Sequence, residues 1–270
     1  MNVTPIAPRL KYDVLIQTFF QGKTRLWVNP VVDQLAMAND RAKPIRAITF
    51  DLDGTLWDAE PALLRAEREV HDWLRTHHTP IATAFSIDDL RELRREIAEN
   101  NPHLCHNVTA LRMLSVQTAA MRVGLDPAIS QQAFEVFMKH RNQVQIFSDV
   151  MPALQRLRTR YTLCSLTNGN ANLVEIGIDH MFHHSLSAVE AGVAKPQTEM
   201  FTRICALAGV EPEETVHVGD EPQTDIAGAM ASGFRTIWIN RQEASWTYSW
   251  RADAEIRSLI ELEAVLASWR

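Results

Sequence analysis

Apolar residues arrive in two different rhythms along this chain. Ile45 to Phe50 forms a short apolar run that ends at Asp51-Leu52-Asp53-Gly54-Thr55, the pattern of a buried strand followed by a tight turn. From about Glu60 to Asn142 the spacing is helical. Leu90, Leu93 and Ile97 recur at helical intervals, as do Val108, Leu111 and Leu114, and Phe134, Val136 and Phe137 mark a further segment. Pro80, Pro102 and Pro127 separate these helices. Beyond Pro152 strands and helices alternate: strands at Tyr161 to Leu166, Thr215 to Val218 and Arg235 to Ile239, helices at Thr198 to Ala208 and Asp225 to Ala231. Such alternation predicts a parallel sheet with right-handed crossovers. The expected fold class is therefore α/β: a Rossmann-like parallel sheet core whose first strand is followed by a long helical insert.

Composition narrows the possible roles. A chain of 270 residues, 46% of them hydrophobic, can bury a sizeable core and is too apolar for disorder. Its net charge of -6 argues against a nucleic-acid partner, since phosphate backbones reward clustered positive charge. No apolar run approaches the roughly 18 residues that span a bilayer, so no membrane partner is expected. Cys105, Cys164 and Cys205 are odd in number and widely spaced, which points to a reducing, cytoplasmic setting.

The first 44 residues differ in character. They hold six basic and three acidic side chains, a net +3 that leaves -9 for the remainder, and carry Pro5, Pro8 and Pro30. No continuous apolar stretch of a secretory signal is present, and Asp13, Asp33 and Asp40 are out of place in a transit peptide. We read 1–44 as a loosely ordered extension, 45–57 and 151–270 as the α/β core, and 58–150 as the helical insert.

Candidate chemistry collects at the ends of the predicted strands. Asp51 and Asp53, two positions apart after a buried strand, lie at the carboxyl edge where open α/β sheets bind ligands. Two such carboxylates stay ionised beside a cation such as Mg²⁺; alternatively they form an Asx turn completed by a left-handed Gly54. Thr167-Asn168-Gly169 follows a strand and suits either phosphate oxygens or an ordinary helix N-cap. Lys195 is either a phosphate ligand or a solvated side chain. Asp220 ends the strand Val216-His217-Val218-Gly219, and with Asp225 close behind it reads as part of a cation site or as a loop cap.

Taken in order, Asp51-x-Asp53, Thr167, Lys195 and Asp220 resemble the four motifs of the haloacid dehalogenase superfamily. The resemblance implies that Asp51 is the nucleophile that becomes an aspartyl-phosphate, and that Asp53 is the general acid and base. It further implies that Thr167, the Asn168 backbone and Lys195 bind the phosphate. Mg²⁺ would be held by Asp51, Asp220 and the backbone carbonyl of Asp53. The last motif carries Asp220-Glu221 in place of a pair of aspartates, leaving Glu221 or Asp225 to support the metal. In the same terms the helical insert is similar to the family's cap, which closes over a small phosphorylated metabolite. The oligomeric state is left open.

Within the family, Asp53 favours phosphoester chemistry, because a departing halide needs no proton. Imine-forming phosphonate cleavage would call for a lysine on the insert, which has only Lys139. Arg65 to Glu69, His106 to Thr109, Thr167 to Ala171 and Thr224 to Ile226 are similar to bacterial phosphatases of flavin mononucleotide and of 5-amino-6-(5-phospho-D-ribitylamino)uracil. Other phosphatase activities, a phosphomutase and a non-catalytic binding module are the alternatives. Trp57 is expected as a core or hinge aromatic, or else stacked on a flat substrate ring. His103, Cys105 and His106 read as loop or cap residues, with His106 a possible substrate contact. Arg91, Arg94 and Arg95 share their helix with acids and read as a solvated face.

Overall fold

In the computed structural model residues 43–269 are described, and the extension expected at 1–44 lies outside them but for its last two residues. The first element is β1 (Ala47–Phe50), buried at every position. A strand of four residues buried on both faces is what the apolar run demanded, and it lies in the middle of the sheet.

Five helices follow: α1 (Glu60–His77), α2 (Thr79–Ala84), α3 (Ile87–Asn100), α4 (Val108–Arg122) and α5 (Ile129–Arg141). Pro80 occupies the first turn of α2, where a missing N–H costs nothing. Ser86 and Asp89 close a capping box at the start of α3, a device worth about 1 kcal/mol. These helices enclose an apolar core of their own, built around Ala66, Leu74, Ile81, Ala119 and Phe137.

The chain continues through α6 (Val150–Leu157), β2 (Thr162–Thr167), α7 (Leu173–Ile176), β3 (His184–Ser187), α8 (Ala188–Ala191) and α9 (Thr198–Ala208). It ends with β4 (Thr215–Gly219), α10 (Ala227–Ala231), β5 (Arg235–Ile239), β6 (Ala254–Ile256) and α11 (Leu262–Ser268). A π-helical turn over Pro222–Ile226, which carries the buried Asp225, leads into α10.

All strand pairs are parallel, in the order β3-β2-β1-β4-β5-β6. The α/β expectation therefore holds. One face of the sheet packs Ile48, Phe50, Leu163, Val216 and Ile237; the other packs Cys164, Leu166, Phe201 and Ile204. Strand order reverses direction between β1 and β4, the crevice where open parallel sheets bind ligands at their carboxyl ends. That crevice positions the site.

Candidate active site

Asp51 follows β1 directly, and its backbone N–H donates to the Val218 carbonyl at 2.9 Å, drawing it into the seam between β1 and β4. The turn that follows needs Gly54 twice over. Its φ is +85°, and a Cβ there would lie 2.3 Å from Oδ2 of Asp220. Gly219 has the same relation to Asp225, since a Cβ would stand 2.4 Å from its Oδ2. With those two side chains missing, Asp51, Asp220 and Asp225 bring carboxylate oxygens within 4.8 Å of one another. Asp225 rather than Glu221 joins the cluster.

Lys195 is the cation of this group. It is 1% exposed, so the solvated alternative is excluded. Its Nζ lies 2.6 Å from Asp51 Oδ1 and 2.7 Å from Asp225 Oδ1, and donates to the Leu166 carbonyl at 2.8 Å. Asn168 sets the backbone that carries it: Lys195 N–H donates to Asn168 Oδ1 at 2.8 Å, and Asn168 Nδ2 donates to the Lys195 carbonyl at 3.0 Å. Thr167, buried at the end of β2, accepts from the Gly169 N–H through Oγ1 at 2.9 Å. The phosphate-binding candidates Thr167, Asn168 and Lys195 thus converge beside Asp51.

The electrostatics follow from counting charges in a dry site. Burial pushes the Asp51 carboxyl well above its ordinary range; Asp225 and Asp53 push the same way, and Lys195 opposes them incompletely. Burial would raise Asp225 too, but Lys195 and the nearby His217 ring hold it well below the usual carboxylate range. Lys195 is depressed by burial yet raised further by Asp225 and Asp51, and stays charged. His217, fully buried with Nδ1 2.8 Å from Thr49 Oγ1, is driven toward its neutral form chiefly by burial. The ammonium of Lys195 thus serves Asp51 and Asp225, while Asp220 adds a third carboxylate to the cluster. An all-oxygen donor set with surplus negative charge fits a hard divalent cation, and no other cluster of three potential ligands occurs among the described residues. His103, Cys105 and His106 form no such group.

Asp53 is held apart from this cluster. Arg141 Nη2, at the end of α5, donates to both carboxylate oxygens, at 2.8 Å and 2.6 Å. Trp57 Nε1 donates to Oδ1 at 2.7 Å. The Asp53 side chain therefore does not join the other carboxylates; toward a metal it has only the backbone carbonyl that the resemblance implied. Trp57 is fully buried and bridges to Ile146, which makes it a core residue rather than a ring open to substrate. The sequence pattern points to neither Arg141 nor the indole bond.

The basic face of α3 also needs correcting. Arg95 does pair outward with Glu92 and Glu99, but Arg91 and Arg94 turn inward onto Glu67, which is 6% exposed. Arg112 joins them at 3.3 Å and lies over the Phe137 ring, 3.6 Å from its centroid. Burial alone would raise Glu67, but Arg112, Arg94 and Arg91 outweigh it and hold the carboxyl down at about 2.

Residues 45–233 match the family described as haloacid dehalogenase-like hydrolase. Over 210 residues the chain is 33% identical to the 5-amino-6-(5-phospho-D-ribitylamino)uracil phosphatase YigB of Escherichia coli, covering 76% of this chain and 88% of that protein. It is 31% identical over 211 residues to a glyceraldehyde 3-phosphate phosphatase of Methanopyrus kandleri, covering 73% of this chain and 84% of that one. A crystal structure described as a 2-haloacid dehalogenase from Pseudomonas syringae superposes with a TM-score of 0.79 at 39% identity, covering 84% of this chain and all of the other.

Proposed function

This chain belongs to the haloacid dehalogenase-like hydrolases, and on that premise we propose that it hydrolyses a small phosphomonoester through an aspartyl-phosphate on Asp51, with Mg²⁺ as cofactor. The observation that carries the reading is the separation of the two carboxylates. Asp51 sits with Lys195 in the cation cluster, while Asp53, two residues on, is held by Arg141 and Trp57 outside it.

In this reading Asp51 attacks phosphorus as the ester oxygen departs, and Asp53 gives that oxygen its proton. Water then attacks phosphorus, Asp53 takes a proton from it, and Asp51 is regenerated with release of inorganic phosphate. The Thr167 hydroxyl, the Asn168 backbone N–H and Lys195 stabilise the equatorial oxygens. Mg²⁺, held by Asp51 and Asp220 with the Asp53 carbonyl and supported by Asp225, would offset the charge of the phosphate and of the crowded carboxylates. The helices at 58–150 act as a cap that excludes water and large polymers from the cleft.

For substrate we favour 5-amino-6-(5-phospho-D-ribitylamino)uracil, supported by the similarity to the Escherichia coli enzyme, with flavin mononucleotide as the related candidate. Halide displacement, the activity named for the Pseudomonas syringae protein, has no use for the acid at Asp53. We place the enzyme in the cytoplasm, in keeping with three free cysteines. The test is a panel of phosphomonoesters assayed with Mg²⁺ for wild type and Asp51→Asn. Phosphate release from the ribitylaminouracil ester, abolished in the variant, is the expected result; undiminished turnover by Asp51→Asn would sink the mechanism.

A further inference from the structure

We infer that Arg141 is the positioning residue for Asp53, setting the direction in which that carboxylate faces the departing oxygen; the inference rests on the acid and base role given to Asp53 above. Arg141 ends α5, where the inserted helices return to the sheet. Its side chain is 1% exposed, yet Nε and Nη1 have no hydrogen-bond partner. Among the described residues Asp53 is therefore the sole hydrogen-bond partner of the guanidinium. Burying a guanidinium is costly, and a site that needed only packing is served as well by an apolar chain of equal volume. The hydrogen bonds that its polar end makes all go to Asp53.

The grip is tight and comes from several sides. Nη2 of Arg141 meets both carboxylate oxygens and Trp57 meets Oδ1. The turn after β2 passes so close that a Cβ on Gly169 would lie 2.8 Å from Oδ2. Arg141 is itself anchored to the core, because the next residue, Asn142, accepts from the Asn172 N–H at 3.0 Å. Asp53 stands in a turn and would otherwise sample several rotamers. Proton transfer demands a donor within about 2.6–3.2 Å of the departing oxygen, so fixing the rotamer acts on that step. Attack by Asp51 and the grip on phosphate have their own partners and do not depend on Arg141.

This separation makes the leaving group the readout. An alkoxide must be protonated as it departs; acetate leaving from acetyl phosphate needs no proton. With Mg²⁺ present, kcat/KM of Arg141→Met should fall about 100-fold for glycerol phosphate and by less than about threefold for acetyl phosphate. Added methylguanidine should restore part of the glycerol phosphate activity to Arg141→Ala. If Arg141→Met melts below the assay temperature, Arg141→Lys, which keeps the buried charge on a shorter side chain, should show the same unequal loss. Equal losses on both substrates, or no response to methylguanidine, would overturn the positioning role and leave the phosphatase reading standing. A wild-type enzyme inactive on both substrates and on the ribitylaminouracil ester would overturn the reading itself.

Discussion

The ammonium of Lys195 lies 2.6 Å from Oδ1 of Asp51, across 144 residues of sequence. Both groups are buried, and the same ammonium also serves Asp225 at 2.7 Å. Removing it strands two carboxylates in a dry site. Lys195→Met should therefore lose about 3–5 kcal/mol of stability, read by chemical denaturation, as well as activity. Lys195→Arg should rescue neither, because a planar guanidinium cannot occupy the place of a compact ammonium.

Gly54 admits Asp220 only because it lacks a side chain. Gly54→Ala places a methyl 2.3 Å from Oδ2 of Asp220 and forces an alanine to φ +85°. We expect about 1–3 kcal/mol of destabilisation together with loss of Mg²⁺-dependent activity. A variant of wild-type activity would show that Asp220 is dispensable for the site.

Metal dependence follows from the unbalanced carboxylates. A chelator should abolish phosphatase activity, Mg²⁺ should restore it, and Mg²⁺ should raise the melting temperature of the wild type. Asp220→Asn should raise the Mg²⁺ concentration for half-maximal activity by at least about tenfold, measured by titrating metal into the stripped enzyme.

Glu67 gives the inserted helices a dependence on acid. Its carboxyl is held at about 2 in the fold against 4.5 when free. A depressed carboxyl contributes its full stability above the free value and loses it as pH falls from 4.5 toward 2. The loss is on the order of 3 kcal/mol, since a tenfold change in proton affinity is worth about 1.4 kcal/mol. Denaturant midpoints at pH 6 and pH 3 should diverge in the wild type and differ by less in Glu67→Gln.

The residues that announce themselves in the sequence are those whose meaning is local. Asp51, Asp53 and Gly54 follow a buried strand, and the left-handed turn is written in the glycine. Asp220 and Thr167 are legible for the same reason, as the last residues of apolar runs. Arg141 is not, because Lys139-His140-Arg141 looks like the basic last turn of any helix, favoured by the helix dipole. Its partner Asp53 lies 88 residues earlier. The inward turn of Arg91 and Arg94 is hidden likewise, since both share their helix with acids while the carboxylate they serve is 24 and 27 residues away. Short edge strands are also faint: His184–Ser187 has one buried apolar residue, and Ala254–Ile256 spans three positions.

The strand order has a consequence for synthesis. β1 pairs with β2 and β4, so the strand made first among these must wait for neighbours that begin at Thr162 and Thr215. At about 5–20 residues per second, translating from β1 to β4 takes roughly 10–30 s. Until β2 has been made, a strand that the fold buries at every position has no partner, which is a long exposure for a segment able to aggregate. Asp51 cannot meet Lys195 or Asp220 until most of the chain has been made, so nascent chains carry the nucleophile without its chemistry.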